Sequence, residues 1–289
     1  MALILDGRVV RDQIQKKLLG VVSGLPSVPV LVIIQIGDRE DSNAYVNQKK
    51  KFADVVKVSI DHRKFSESVS KEEVVRLIRE LNQNKGIHGI IIQLPVPSKF
   101  DPQEFIEEIA PEKDVDGLTS FNLKLLWTNT SGGFVPATPQ GILTLLDYYK
   151  IPLAGKKITI VGRSVLVGKP AILAMLNRDA TVTACHSGTC NLEDETRNAD
   201  IVIVATGKPK LIGKEHVLPG QTIIDVGINL VGGQNFEEEV EGYTFVGDVD
   251  FEEVKDIVGA ISPVPGGVGP MTVASLFENL LKAYEQQNK

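Results

Sequence analysis

The chain has 289 residues, 43% of them hydrophobic, which is long enough for two cores of ordinary domain size. A net charge of −6 and a pI near 5.4 argue against nucleic acid or an anionic membrane as the principal partner. No apolar run approaches about 18 residues and MALILDGRVV lacks a signal-peptide pattern, so a cytoplasmic protein is expected.

Residues 9–25 carry Ile14, Leu18, Leu19 and Val22 on one side and predict a helix. Residues 29–36 form an almost unbroken apolar run ending at Gly37, as in a buried parallel strand. Residues 38–42 supply turn and cap chemistry before a helix over 44–56. Residues 57–65 predict a second strand. Ser70 and Glu73 form a capping box ahead of a helix over 74–81, and 88–94 predict a third strand closed by Pro95 and Pro97. This βαβαβ order predicts a three-layer parallel sheet with a site at the carboxyl ends of its strands. Residues 111–120 then form a loop rich in carboxylates, and PATP at 136–139 opens a helix over 140–149.

The second half is organised around KITIVGRSVLVGKPAILAML at 157–176, which predicts strand, tight turn and helix. Such a turn aims the amides of a helix start beyond the strand, where a phosphate is stabilised. Gly162 permits the turn, Gly168 allows close approach, and Pro170 fits a first helical turn. The spacing departs from G-x-G-x-x-G, and an ordinary βα turn fits it as well. The strand over 181–185 ends in His186-Ser187, without the acidic residue that holds the ribose 2′-hydroxyl of NAD. Arg163 and Ser187 instead offer a guanidinium and a hydroxyl, which suit a 2′-phosphate and point to NADP. Strands are expected over 201–207, 222–229 and 243–249, followed by PVPGGVGPMT at 263–272 and a closing helix over 273–286 that packs on the first domain. Cys185 and Cys190 are expected as reduced thiols; with His186 they lack a fourth partner for a metal.

Tyr45 and Lys49 lie four apart on a predicted helix and share one face. On spacing alone, a buried ring with a snorkelling amine accounts for that pair better. Gln93 ends an apolar strand, and Asp114 and Asp116 lie in the acidic loop; a satisfied core amide and a loop charge pair are the plainer readings. Lys50 and Lys51 are expected as solvated surface charge.

Taken in order, YVNQK at 45–49, GIIIQLPVP at 89–97, PEKDVDGLTS at 111–120, VGRS at 161–164 and PVPGGVGPMT at 263–272 resemble the bifunctional methylenetetrahydrofolate dehydrogenase/methenyltetrahydrofolate cyclohydrolase family, in its bacterial single-protein form. The likeness spans about residues 5–284. It implies two three-layer α/β domains with parallel sheets and an active-site cleft between them. Residues 1–137, completed by a terminal helix at 271–289, would bind folate, and 138–270 would form a Rossmann-type NADP-binding domain. It implies Lys49, Gln93 and Asp116 as catalytic residues. Tyr45, Pro263, Gly267 and Thr272 would join them in binding substrate. Gly162, Arg163, Ser164, Ser187, Ala205, Thr206, Gly207, Gly227, Ile228 and Thr272 would bind NADP, with no metal. Tetrahydrofolate derivatives as substrates and a homodimer formed through the nucleotide domain are further implications of the resemblance.

The chain departs from the family at Lys57, where a glycine is frequent nearby, and at Ala137, where a cysteine is frequent. The rival readings are a monofunctional dehydrogenase, a two-domain NADP dehydrogenase of shikimate or amino-acid type, and a non-enzymatic nucleotide sensor or scaffold.

Overall fold

A computed structural model describes residues 2–232 and 243–288. In chain order the elements are β1 (Leu3–Ile4), α1 (Gly7–Val22), β2 (Val30–Ile36), α2 (Glu40–Val56), β3 (Ser59–Phe65), α3 (Lys71–Gln83), β4 (Gly89–Gln93), α4 (Gln103–Ile106), α5 (Ser120–Trp127) and α6 (Ala137–Tyr148). There follow β5 (Lys157–Val161), α7 (Gly168–Leu176), β6 (Thr181–Cys185), α8 (Leu192–Arg197), β7 (Ile201–Val204), β8 (Thr222–Asp225), β9 (Asn229–Gly232), β10 (Tyr243–Val246), α9 (Phe251–Val254), β11 (Ala260–Ile261) and α10 (Val268–Gln287). They form two compact units. One comprises Gln13–Ala137 with Val273–Lys289, the other Met1–Asp12 with Thr138–Thr272.

The first unit holds a three-stranded parallel sheet in the order β3-β2-β4. Its central strand β2 is apolar and buried from Leu31 to Ile36 apart from Gln35, because helices cover both faces of a parallel sheet. Gln35 pairs in register with Gln93 of β4, so two amides stand side by side at the carboxyl end of an otherwise hydrocarbon sheet. Phe52 of α2 stacks on Phe277 of α10, ring centroids 4.7 Å apart. Ser70 caps α3 by accepting the amide of Glu73, as the sequence predicts.

The second unit is a six-stranded parallel sheet in the order β1-β11-β8-β7-β5-β6. Ile203, Val204, Ile223 and Ile261 are fully buried in it. Residues 1–12 belong here and not with residues 13–137, because β1 pairs with β11 through Leu3↔Ala260 and Ile4↔Ile261. A two-residue strand has no period to detect, so this correction comes from pairing alone. A separate antiparallel pair joins β9 to β10. Helix α10 starts at Val268, inside PVPGGVGPMT, earlier than the sequence suggests. Gly269 and Pro270 are tolerated there because first-turn amides have no intrahelical acceptor. Lys289, the last residue of the expected terminal helix, lies outside the described residues.

Candidate active site

In the first unit, helix α2 leaves the carboxyl end of β2 and carries Tyr45 and Lys49 on one face, with the Lys49 ammonium 6.0 Å from the Tyr45 ring centroid. Lys49 Nζ donates to Gln93 Oε1 at 2.7 Å, and Gln93 Nε2 donates to the carbonyl of Leu94 at 2.8 Å. The second bond fixes which amide atom faces the lysine. Burial drives the Lys49 pKa down to about 8, with the charge of Asp116 opposing. Burial lifts Asp116 to about 6, with Lys49 opposing and Asp114 reinforcing. Tyr45 is pushed up to about 12, first by burial and then by Asp41, so it stays a neutral ring.

The loop carrying Asp116 is built by its neighbours in KDVDG. Lys113 is buried and its ammonium donates to the carbonyls of Leu81, Asn82 and Asn84, tying the loop to the end of α3. Asp114, also buried, accepts the amides of Gly117, Leu118 and Thr119 and the side chain of Asn122. The amide of Ile90 donates to Lys113, which lays the loop along β4. Gly117 has φ +73°, and a Cβ there would come within 2.9 Å of Phe134 O. Thus Asp114, grouped with Asp116 by sequence, is a structural carboxylate, and Asp116 is the one whose charge acts on the lysine.

Two features of α2 escaped the sequence. Ser42 precedes Tyr45 by three residues, and its buried hydroxyl has no partner among the described residues. A small polar residue one turn before Tyr45 on the same face was the available signal. Lys50 is half-buried, not a solvated charge: its Nζ lies 3.1 Å from His62 Nδ1, and His62 Nε2 lies 2.9 Å from Gln35 Oε1.

In the second unit, Gly162 follows β5 with φ +130°, and a Cβ would fall 2.1 Å from Ala205 O. At Gly168 it would fall 2.4 Å from Gly162 O, so the close approach there is backbone on backbone. Ser164 Oγ accepts the amides of Val167 and Gly168, and its carbonyl accepts that of Lys169. The start of α7 is therefore satisfied internally, contrary to the expectation that its amides face a ligand. The amides of residues 163–166 donate to no described residue, and Ser164, accepting twice through Oγ, keeps its hydroxyl proton for donation. Arg163 is exposed and has no ion-pair partner among the described residues. Ser187 stands in the turn after β6, which pairs with β5 through Val161↔Cys185, so Arg163 and Ser187 sit two residues beyond one register pair. Unclaimed amides, a guanidinium and hydroxyls fit a phosphorylated dinucleotide.

Of the remaining predicted contacts, Ala205, Thr206 and Gly207 follow β7, and Gly227 and Ile228 follow β8. Ile228 is exposed. Thr206 and Gly207 amides are already committed to Asp248, a residue the sequence reading did not single out. Pro263 accepts the amide of Gly267, and Thr272 Oγ1 donates to Thr138 Oγ1 and to the carbonyl of Val268.

Residues 5–116 match the tetrahydrofolate dehydrogenase/cyclohydrolase catalytic domain, and residues 136–288 match the NAD(P)-binding domain of the same family. The bifunctional protein FolD of Dictyoglomus thermophilum is 40% identical, over 99% of this chain and 98% of its own. The crystal structure of Trypanosoma brucei N5,N10-methylenetetrahydrofolate dehydrogenase-cyclohydrolase, complexed with NADP cofactor and inhibitor, superposes with a TM-score of 0.94 at 34% identity, covering 100% and 99% of the two chains. Shikimate dehydrogenase from Aquifex aeolicus, the rival type, reaches a TM-score of 0.53 at 11% identity over 92% and 99%, a likeness of fold alone. With both halves matched and full-length identity well above what fold alone produces, the chain belongs to the tetrahydrofolate dehydrogenase/cyclohydrolase family.

Proposed function

We propose that the protein oxidises 5,10-methylenetetrahydrofolate to 5,10-methenyltetrahydrofolate with NADP+ and then hydrolyses the product to 10-formyltetrahydrofolate. The observation that carries the reading is Lys49: an amine held by Gln93 at 2.7 Å and shifted to about 8 is a base that can work near neutral pH. When bound, NADP+ supplies the hydride acceptor for the first step. The chain's own task there is to hold the folate. Tyr45 offers a ring face to the flat pterin, and the Asp116 carboxylate accepts from its aminopyrimidinone edge. In the second step, neutral Lys49 takes a proton from the water that attacks the methenyl carbon; the N5–carbon bond then breaks, N5 takes a proton, and the formyl group stays on N10. Substrate positive charge favours the neutral amine further. Gln93 keeps the amine aimed and disfavours other rotamers.

At the nucleotide end, Arg163 and Ser187 would hold the 2′-phosphate. Gly162, Ser164 and the turn amides would take the pyrophosphate, and Ala205 to Gly207, Gly227, Ile228 and Thr272 would supply the remaining contacts. Pro263 and Gly267 would contact the folate. A cytoplasmic homodimer accompanies this reading; β6, the edge strand with exposed Thr181, Thr183 and Ala184, has backbone groups available for pairing with a second copy. One assay tests the function: spectrophotometry with methylenetetrahydrofolate and NADP+, following the appearance and decay of the methenyl form. NADP+ reduction without decay would leave a monofunctional dehydrogenase. No reduction would reject the reading.

A further inference from the structure

The loops after β7 and β8 are joined by two buried carboxylates that the proposed chemistry does not use. Asp248 is 0% exposed. Its Oδ2 accepts the Thr206 amide at 2.6 Å, the Thr206 hydroxyl at 2.9 Å and the Gly207 amide at 2.9 Å, and its Oδ1 accepts Asn229 Nδ2 at 2.9 Å. Asp225, at the end of β8 and 3% exposed, accepts the amides of Gly227, Asp248 and Val249. Every one of these donors is neutral. A buried carboxylate without a cation persists only when its lone pairs are filled, and here donors from separate loops fill them.

The glycines give an independent line. A Cβ at Gly227 would fall 2.2 Å from the Asp248 carboxylate, and one at Gly247 would fall 1.9 Å from Asp225 Oδ2. Both glycines have ordinary φ, so what they provide is room for the carboxylates. The chain has been cleared of side chains around this pair.

We infer that Asp248, backed by Asp225, is a positioning residue for the cofactor: it clamps residues 205–207 to Asn229 and so presets the floor on which NADP+ rests. This deepens the function proposed above and rests on it. Replacing one carboxylate oxygen by an NH2 group weakens the bonds to the Thr206 and Gly207 amides or sets a donor against Asn229 Nδ2, and so loosens that floor, while Lys49, Gln93 and Asp116 belong to the other unit. The two activities should therefore separate.

The test uses the full chain, with Asp248→Asn as principal variant and Asn229→Ala as the milder one. Three quantities are measured: NADP+ binding by titration, hydrolysis of supplied methenyltetrahydrofolate, and hydrogen exchange at the Thr206 and Gly207 amides without cofactor. Asp248→Asn should weaken NADP+ binding about tenfold or more, raising KM for NADP+ more than it lowers kcat. Asn229→Ala should weaken it by a few-fold. Hydrolysis should stay within about twofold of wild type, and both amides, protected in the wild type, should exchange faster in Asp248→Asn.

A folded Asp248→Asn protein with wild-type NADP+ affinity overturns the inference, as does a proportionate loss of both activities. If Asp248→Asn does not fold, Asn229→Ala and the wild-type exchange decide: unchanged affinity or unprotected amides overturn it. Failure of the functional reading is a different result, seen in the wild type alone as no binding of NADP+.

Discussion

Lys49 and Arg163 are both cations beside the carboxyl ends of parallel strands, yet their surroundings differ. Lys49 is held against Gln93 in a desolvated spot, its pKa lowered to about 8 by burial. Arg163 stands in solvent on a turn whose neighbouring amides are unclaimed. A group that must surrender its proton needs burial to weaken its hold on charge. A group that must grip a phosphate needs permanent charge, a planar fork and access. This chain places its lysine under cover and its arginine in the open, and the contrast yields separate ways of breaking each half.

The largest effect is expected at the covered cation. Lys49→Met keeps the stem, removes the base and should lower methenyltetrahydrofolate hydrolysis by about 10²–10⁴-fold, with NADP+ affinity unchanged. Lys51→Met, an exposed lysine on the same helix, is the control; Lys50 is unsuitable because of its contact with His62. Wild-type hydrolysis by a folded Lys49→Met protein would remove this lysine from the mechanism. At the open cation, Arg163→Ala should weaken NADP+ by about 1.5–3 kcal/mol and leave hydrolysis intact. Equal losses for NADP+ and NAD+ would show that the guanidinium does not hold the 2′-phosphate.

A pH profile sharpens the same contrast. With Lys49 as the proposed base, its neutral form gains population as pH rises through about 8, so hydrolysis should climb about tenfold from pH 7 to its plateau. With Asp116 proposed to hold the folate as an anion, protonation as pH falls through about 6 should raise KM for the folate. NADP+ binding should lack the limb near pH 8, because Lys49 belongs to the other unit. A flat hydrolysis profile between pH 7 and 9 would argue that the lysine is not the base.

The smallest effect concerns the departure at Lys57. It sits at φ 58°, ψ 39°, ending α2 in the left-handed conformation that glycine adopts without strain. The turn into β3 thus keeps a glycine-type geometry with a lysine in it. Lys57→Gly should stabilise the fold by ~0.5–1 kcal/mol, the relief of strain being partly offset by a freer unfolded chain. Thermal unfolding that shifts downward would contradict this account.

Local pattern in the sequence was enough for the strand-turn-helix at 157–176, the buried strands β2 and β4, the shared face of Tyr45 and Lys49, and the missing acid after β6. Each of these depends on neighbours a few residues apart, where periodicity and turn chemistry act directly. Tertiary structure alone decided the rest. Pairing of β1 with β11 assigned residues 1–12 to the second unit across more than 250 residues of chain. Which aspartate of KDVDG is structural depended on the amides that converge on Asp114, and the Lys49 pKa depended on burial supplied by elements distant in sequence. The sequence does not single out Asp225 and Asp248, because a carboxylate's role is set by the donors around it, and those donors arrive from separate loops only when the six-stranded sheet assembles.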